Sequence, residues 1–136
     1  MKIHSIPDKF EVTWNNEVKA IIDTVIDYSM SLEEFEKAVM HKGLDHAKAN
    51  KGVAWIVDSS NATNVFSQEI QLLIKNEVFP AFSRNGIKYF LTITSKLSSL
   101  TKVNIKHFSA KTDQYGIKHI QVNSVEDAIT WLSENA

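Results

Sequence analysis

Phe10-Glu11-Val12-Thr13-Trp14 alternates apolar with polar residues, the period of a strand that buries one face. Asn15-Asn16 follows, a pair that tolerates positive φ and favours turns. A second β-rich stretch runs from about Glu17 to Asp27 and sets Val18, Ala20, Ile22 and Ile26 on one face, which predicts an antiparallel hairpin. The period then changes. Ser31-Leu32-Glu33-Glu34 is a capping box, and Phe35, Ala38 and Val39 give the apolar stripe of a helix continuing to about Asn50. Ser67-Gln68-Glu69 opens a second helix with Ile70, Ile74, Val78, Ala81 and Phe82 at helical spacing. Pro80 interrupts it, predicting a kink there, or an end near Phe79 with a further turn to Asn85. Ser98-Ser99 caps a third helix with Leu100, Val103, His107 and Phe108 inward, and Ser124 caps a fourth that buries Val125, Ala128, Ile129 and Leu132.

Between these helices stand short apolar runs, each preceded by glycine. Gly52 precedes Val53–Asp58, Gly86 precedes Ile87–Thr94, and Gly116 precedes Ile117–Val122. Glycine accepts the left-handed conformation that closes many helices, so each junction reads as a helix stop and a strand start. Val53–Asp58 is apolar almost throughout, as a central parallel strand buried on both faces should be. The order is β-β-α-β-α-β-α-β-α. This describes a single α/β domain over residues 1–136, an N-terminal β-hairpin followed by alternating α/β units, with a mixed sheet whose core strands are parallel. In such sheets ligands gather outside the carboxyl ends of the strands, here Asp58–Ser67, Thr94–Ser99 and Val122–Ser124.

Composition narrows the setting more than the activity. The 136 residues are 43% hydrophobic and 23% charged, ordinary for a globular domain able to bury a core. No apolar run approaches the roughly 18 residues of a transmembrane helix, and Met1–Pro7 lacks the apolar core of a signal peptide. Without cysteine there are no disulfides and no thiolate chemistry, and a cytoplasmic location is the expectation. Net charge is −1, yet no acidic residue falls between Glu77 and Asp113, where Arg84, Lys88, Lys96, Lys102, Lys106 and Lys111 cluster. These are either solvated faces or a patch for an acidic partner. No aromatic residues interleave with those lysines as in a single-strand stacking platform, so nucleic acid is not expected.

The chemistry-bearing residues are few. Asp58-Ser59-Ser60 follows a buried strand; the aspartate there could hold a metal or orient a proton, or the three could satisfy loop amides. Ser67 suits an N-cap, and the same position suits a phosphoserine, because helix N-termini stabilise negative charge. His41 and His46 sit roughly 140° apart around a helix and cannot readily share an ion; no metal site or cofactor is expected. No nucleophile elbow, phosphate loop or dinucleotide fingerprint is present, so no enzymatic activity is expected. Trp14, Trp55 and Trp131 read as core or sheet-face residues. The alternative is an apolar ligand pocket lined by Trp55, Phe66, Phe79, Phe82 and Phe90.

Taken in order, these patterns resemble the STAS/SEC14-like, or SpoIIAA-like, small bacterial proteins, which share the fold of anti-sigma-factor antagonists. The matching pieces run over nearly the whole chain: the N-terminal hairpin, Val53-Ala54-Trp55-Ile56-Val57-Asp58, Glu77-Val78-Phe79-Pro80, Asn85-Gly86-Ile87-Lys88, and the ending Asn123-Ser124-Val125-Glu126-Asp127-Ala128-Ile129-Thr130-Trp131-Leu132. The resemblance implies a non-enzymatic signalling domain that works through protein–protein contact with a regulatory kinase. In that family a serine at the start of the second helix is phosphorylated, within Asp-Ser-Ser-Gly or a close variant. Here Asp58-Ser59-Ser60 comes too early, and counting onward reaches Ser67, without the flanking aspartate and glycine. The implied interaction surface is Ser67 with the neighbouring Asp58–Ser60 loop, and Lys96 and the third helix beside it. The SEC14 side of the family implies the alternative, a small apolar-ligand or lipid binder. A homodimer through an exposed edge strand or an aromatic helix face is compatible with either.

Overall fold

The computed structural model describes residues 1–93 and 112–136. Among these residues six strands form one sheet in sequence order: β1 (Lys2–Ile6), β2 (Phe10–Asn15), β3 (Ala20–Val25), β4 (Ala54–Asp58), β5 (Tyr89–Ile93) and β6 (Lys118–Val122). The first three strands pair antiparallel and the remaining pairs are parallel. This is the α/β architecture with a mixed sheet that the alternation of periods predicts.

Among the described residues two helices cover one face of the sheet. Helix α1 (residues 32–49) begins at Ser31, whose hydroxyl accepts from the Glu34 amide while the Glu34 carboxylate accepts from the Ser31 amide. It passes from an α segment, Leu32–Glu36, through a π segment, Lys37–Gly43, to a second α segment, Leu44–Ala49. Helix α2 (residues 68–84) repeats the plan, with a π segment at Ile74–Val78 between Gln68–Leu73 and Phe79–Arg84. Pro80 lies just past the π segment, where the Phe79 amide reaches back five residues to the Ile74 carbonyl. The wider turn absorbs the donor that proline lacks, so the helix continues to Arg84 instead of ending at Phe79. Helix α3 (Val125–Asn135), capped by Ser124, packs on the opposite face through Ala128 and Leu132.

Three expectations change. The N-terminus holds a meander of three strands, since Lys2–Ile6 adds an edge strand with a register shift between Lys2 and His4. In the β2–β3 turn, Asn15 Oδ1 accepts from the amides of Glu17 and Val18, and the positive φ falls on Lys19. Gly86 and Gly116 do close helical turns with positive φ, but before β4 the left-handed residue is Lys51. Gly52 is small for another reason: a Cβ there would stand 3.0 Å from the Ala47 Cβ and 3.2 Å from the Trp14 ring. The helix predicted after Ser98 lies outside the described residues.

Candidate functional site

Strand register arranges the α1/α2 face of the sheet in rows. Trp14, Ile21, Trp55, Phe90 and His119 lie side by side in one row. One step toward the carboxyl ends of the parallel strands comes the row Val12, Asp23, Val57, Thr92 and Gln121. Adjacent strands lie about 4.8 Å apart, so Asp23 and Thr92 flank Val57 at roughly 10 Å from each other.

Above these rows the helices and the sheet do not close. A cavity of about 90 Å³ remains, enough for more than a single water. Its floor is Asp23, Trp55, Val57, Phe90 and Thr92; Phe35 and Val39 of α1 form one wall, and Ile74, Val78 and Phe79 of α2 another. Both helices border it with residues of their π segments, Val39 in α1 and Ile74 and Val78 in α2. A π turn inserts a residue and re-aims the side chains that follow, a device often found beside functional sites. Gly43, also in a π turn, lets the Trp55 ring lie against the α1 backbone; a Cβ there would meet it at 2.8 Å.

The β4–α2 connection forms the rim. Phe66 packs edge-on against Tyr28 at 4.4 Å between ring centroids and against Phe35 at 5.2 Å. The connection is pinned to the segment after β3: the Tyr28 amide donates to the Thr63 carbonyl, and the Thr63 amide to the Ile26 carbonyl. Asp27 completes the clasp by accepting from Asn64 Nδ2 and from the Ser29 amide and hydroxyl, bonds that hold its pKa down to about 2. Tyr28 is buried, which raises its pKa, while a hydrogen bond with Ser59 acts the other way and the Asp58 charge adds to the rise. Val65, 40% exposed, and the part-exposed Gln71 bring the cavity wall to solvent.

Asp23 is the unusual group. It is 4% exposed on the cavity floor. Trp55 Nε1 donates to its Oδ2 at 2.6 Å, while Oδ1 has no hydrogen-bond partner among the described residues. Burial pushes the carboxyl up to about 7 against the opposing pull of the indole bond. An unpaired carboxyl in an apolar interior is expensive, and here no lysine or arginine among the described lining residues offsets it. Farther along the row, Thr92 Oγ1 lies 2.9 Å from His119 Nε2, and burial lowers the His119 pKa, opposed by Asp113.

The residues singled out from sequence divide sharply. Trp55, Phe66, Phe79, Phe82 and Phe90 all line this cavity, with Trp55 and Phe82 stacked at 4.4 Å. Of the other group, among the described residues, only Ser59 reaches it, buried beside Tyr28. Asp58 Oδ1 accepts from the Ser60 amide and hydroxyl, a local turn. Ser67 is exposed, and its hydroxyl accepts from the Ile70 amide as an N-cap. Lys96 lies outside the described residues. No cluster of three His, Asp or Glu side chains suited to a metal occurs among the described residues. Asp23 lies on the face of β3 opposite Ala20 and Ile22, the face that the apolar pattern does not select. Its signal is a lone acid between Ile21 and Val25 on that face.

Compared with protein-family models, curated proteins and solved structures, the chain matches none of them. The STAS/SEC14-like resemblance therefore rests on its sequence patterns. No helix of the described residues is long and apolar enough to cross a membrane.

Proposed function

We propose that this protein binds a small, mainly apolar ligand between its sheet and the α1/α2 pair. The observation that carries the reading is the aromatic-walled cavity of about 90 Å³ inside a single chain. Cores ordinarily close such gaps, because an unfilled void forfeits dispersion contacts on one side. A site that is apolar, concave and furnished with a few polar groups is the usual form of a small-molecule pocket. The scale is at most one ring or a short chain: an apolar cavity of about 150 Å³ accommodates benzene, and this one, about 90 Å³, is smaller but reaches solvent at Val65 and Gln71.

The test is thermal stabilisation by a panel of single-ring and short-chain compounds, read beside the variant Val57→Phe. That variant places a ring in the space the ligand would take. Binding in the native chain and its loss in a folded Val57→Phe protein are expected; compounds that bind both equally would overturn the reading.

A second reading keeps the regulatory interaction domain that the family resemblance implies. It is supported by the exposure of Ser67 at the start of α2, where a phosphate would meet the helix N-terminus. Its check is mass mapping of phosphate in protein from its native cells. Label on Ser67 is expected, and label only elsewhere would remove Ser67 from the reading.

A further inference from the structure

Among the described residues the cavity is lined by one carboxylic acid and by no lysine, arginine or histidine. Asp23 Oδ2 is engaged by the Trp55 indole, leaving Oδ1 the one buried side-chain oxygen on the described wall without a partner. The indole bond fixes the carboxyl plane and favours its ionised form. Around it stand aromatic side chains from both layers: Phe10, Tyr28, Phe35, Trp55, Phe79 and Phe90. Aromatic faces carry negative electrostatic potential and attract a desolvated cation, and a carboxylate oxygen accepts a charge-assisted hydrogen bond from an ammonium. A hydrocarbon ligand would leave Oδ1 unsatisfied, and an anionic one would meet a like charge in a low-dielectric space.

Resting on the reading of this cavity as a ligand site, we propose that its ligand class is the small lipophilic amine, whose ammonium pairs with Asp23 Oδ1 while its apolar body lies among the aromatic rings. Other charges around Asp23 do not compete for this role among the described residues. Val12 opposes it on β2 and Val57 on β4; α1 presents Phe35 and Val39, and α2 presents Ile74 and Val78. Tyr28 is the other titratable lining group, with Asp58 acting on it; His119 lies beyond Thr92, three strands from β3. The ammonium supplies the counter-ion that the described lining residues do not.

The probes are benzylamine, benzyl alcohol and toluene, which share a ring and differ in the group offered to Asp23. At pH 8 benzylamine should bind at least tenfold more tightly than benzyl alcohol in calorimetric titration, and Asp23→Asn should erase that preference while retaining the neutral probes. A measurement on the unaltered chain guards against misfolding of the variant. With Asp23 titrating near 7, benzylamine affinity should fall roughly tenfold from pH 8 to pH 6, and toluene affinity should not change. Benzyl alcohol binding as tightly as the amine, or an amine affinity indifferent to pH, would overturn the proposal while leaving the cavity a ligand site. Failure of all three probes to bind would overturn the ligand-site reading and this one with it.

Discussion

The two faces of one sheet have solved the same packing problem differently. On the α3 face, Ala20, Ala54, Ile56, Leu91 and Ile93 meet Ala128 and Leu132, small and aliphatic groups that let the layers approach. On the α1/α2 face the same strands present Trp55, Phe90, Asp23 and Thr92 to helices carrying further aromatic rings. Large rigid rings tile poorly, and the helices there widen into π turns; a cavity remains between them. Residues 54 to 57 contribute alternately to both faces. Four residues of one strand thus serve stability on one side and a pocket on the other, because side chains alternate across a sheet.

That contrast can be broken most directly by truncation. Leu91→Ala, on the packed face, should destabilise by about 2–5 kcal/mol in urea unfolding, whereas Val57→Ala, already bordering open space, should cost about 1 kcal/mol. Equal losses would mean that the two faces are packed alike.

Asp23 gives the next largest effect, and its sign depends on pH. Its carboxyl titrates near 4 when unfolded and at about 7 when folded, so the fold favours the neutral acid. The stability this confers is full below pH 4, declines as pH rises, and is lost above 7, an upper bound of about 4 kcal/mol. Asp23→Asn should match the native chain near pH 4 and exceed its stability by at most about 4 kcal/mol at pH 8. Parallel pH profiles for the two chains would show that Asp23 is not held in an apolar setting.

Removing the partner sharpens the point. Trp55→Phe keeps a ring but deletes the donor to Oδ2, at a cost of about 1–3 kcal/mol, and should move the Asp23 titration above 7. Carboxyl carbon shifts followed by NMR would show that move, and an unchanged midpoint would deny the bond its influence. The smallest effect belongs to the rim: Ser67→Ala loses an N-cap of α2 and should cost about 1 kcal/mol, without altering the Asp23 titration.

Much of the architecture was legible because it is local. The capping box at Ser31 and the caps at Ser67 and Ser124 sit where each helix begins. The continuous apolar run of β4 marks the strand buried on both faces. Lys2–Ile6 carries little strand signal because Lys2, His4 and Ser5 dilute the alternation, and an edge strand needs only one buried face and one partner. Of the site, the five rings of Trp55, Phe66, Phe79, Phe82 and Phe90 were readable as a set of aromatic residues, but their convergence was not. Asp23 was readable only to the extent that an acid between Ile21 and Val25 is out of place.

The sequence by itself determined the periods, the caps and the order of strands and helices, since each depends on residues within a turn or two of one another. Tertiary structure alone decided that Asp23 shares a floor with Trp55 and Thr92, that two helices open into π turns above them, and that the rings leave a space. Those relations join residues far apart in the chain through strand register and layer spacing. A one-residue change of register would carry Asp23 to the opposite face, and no local pattern encodes that choice.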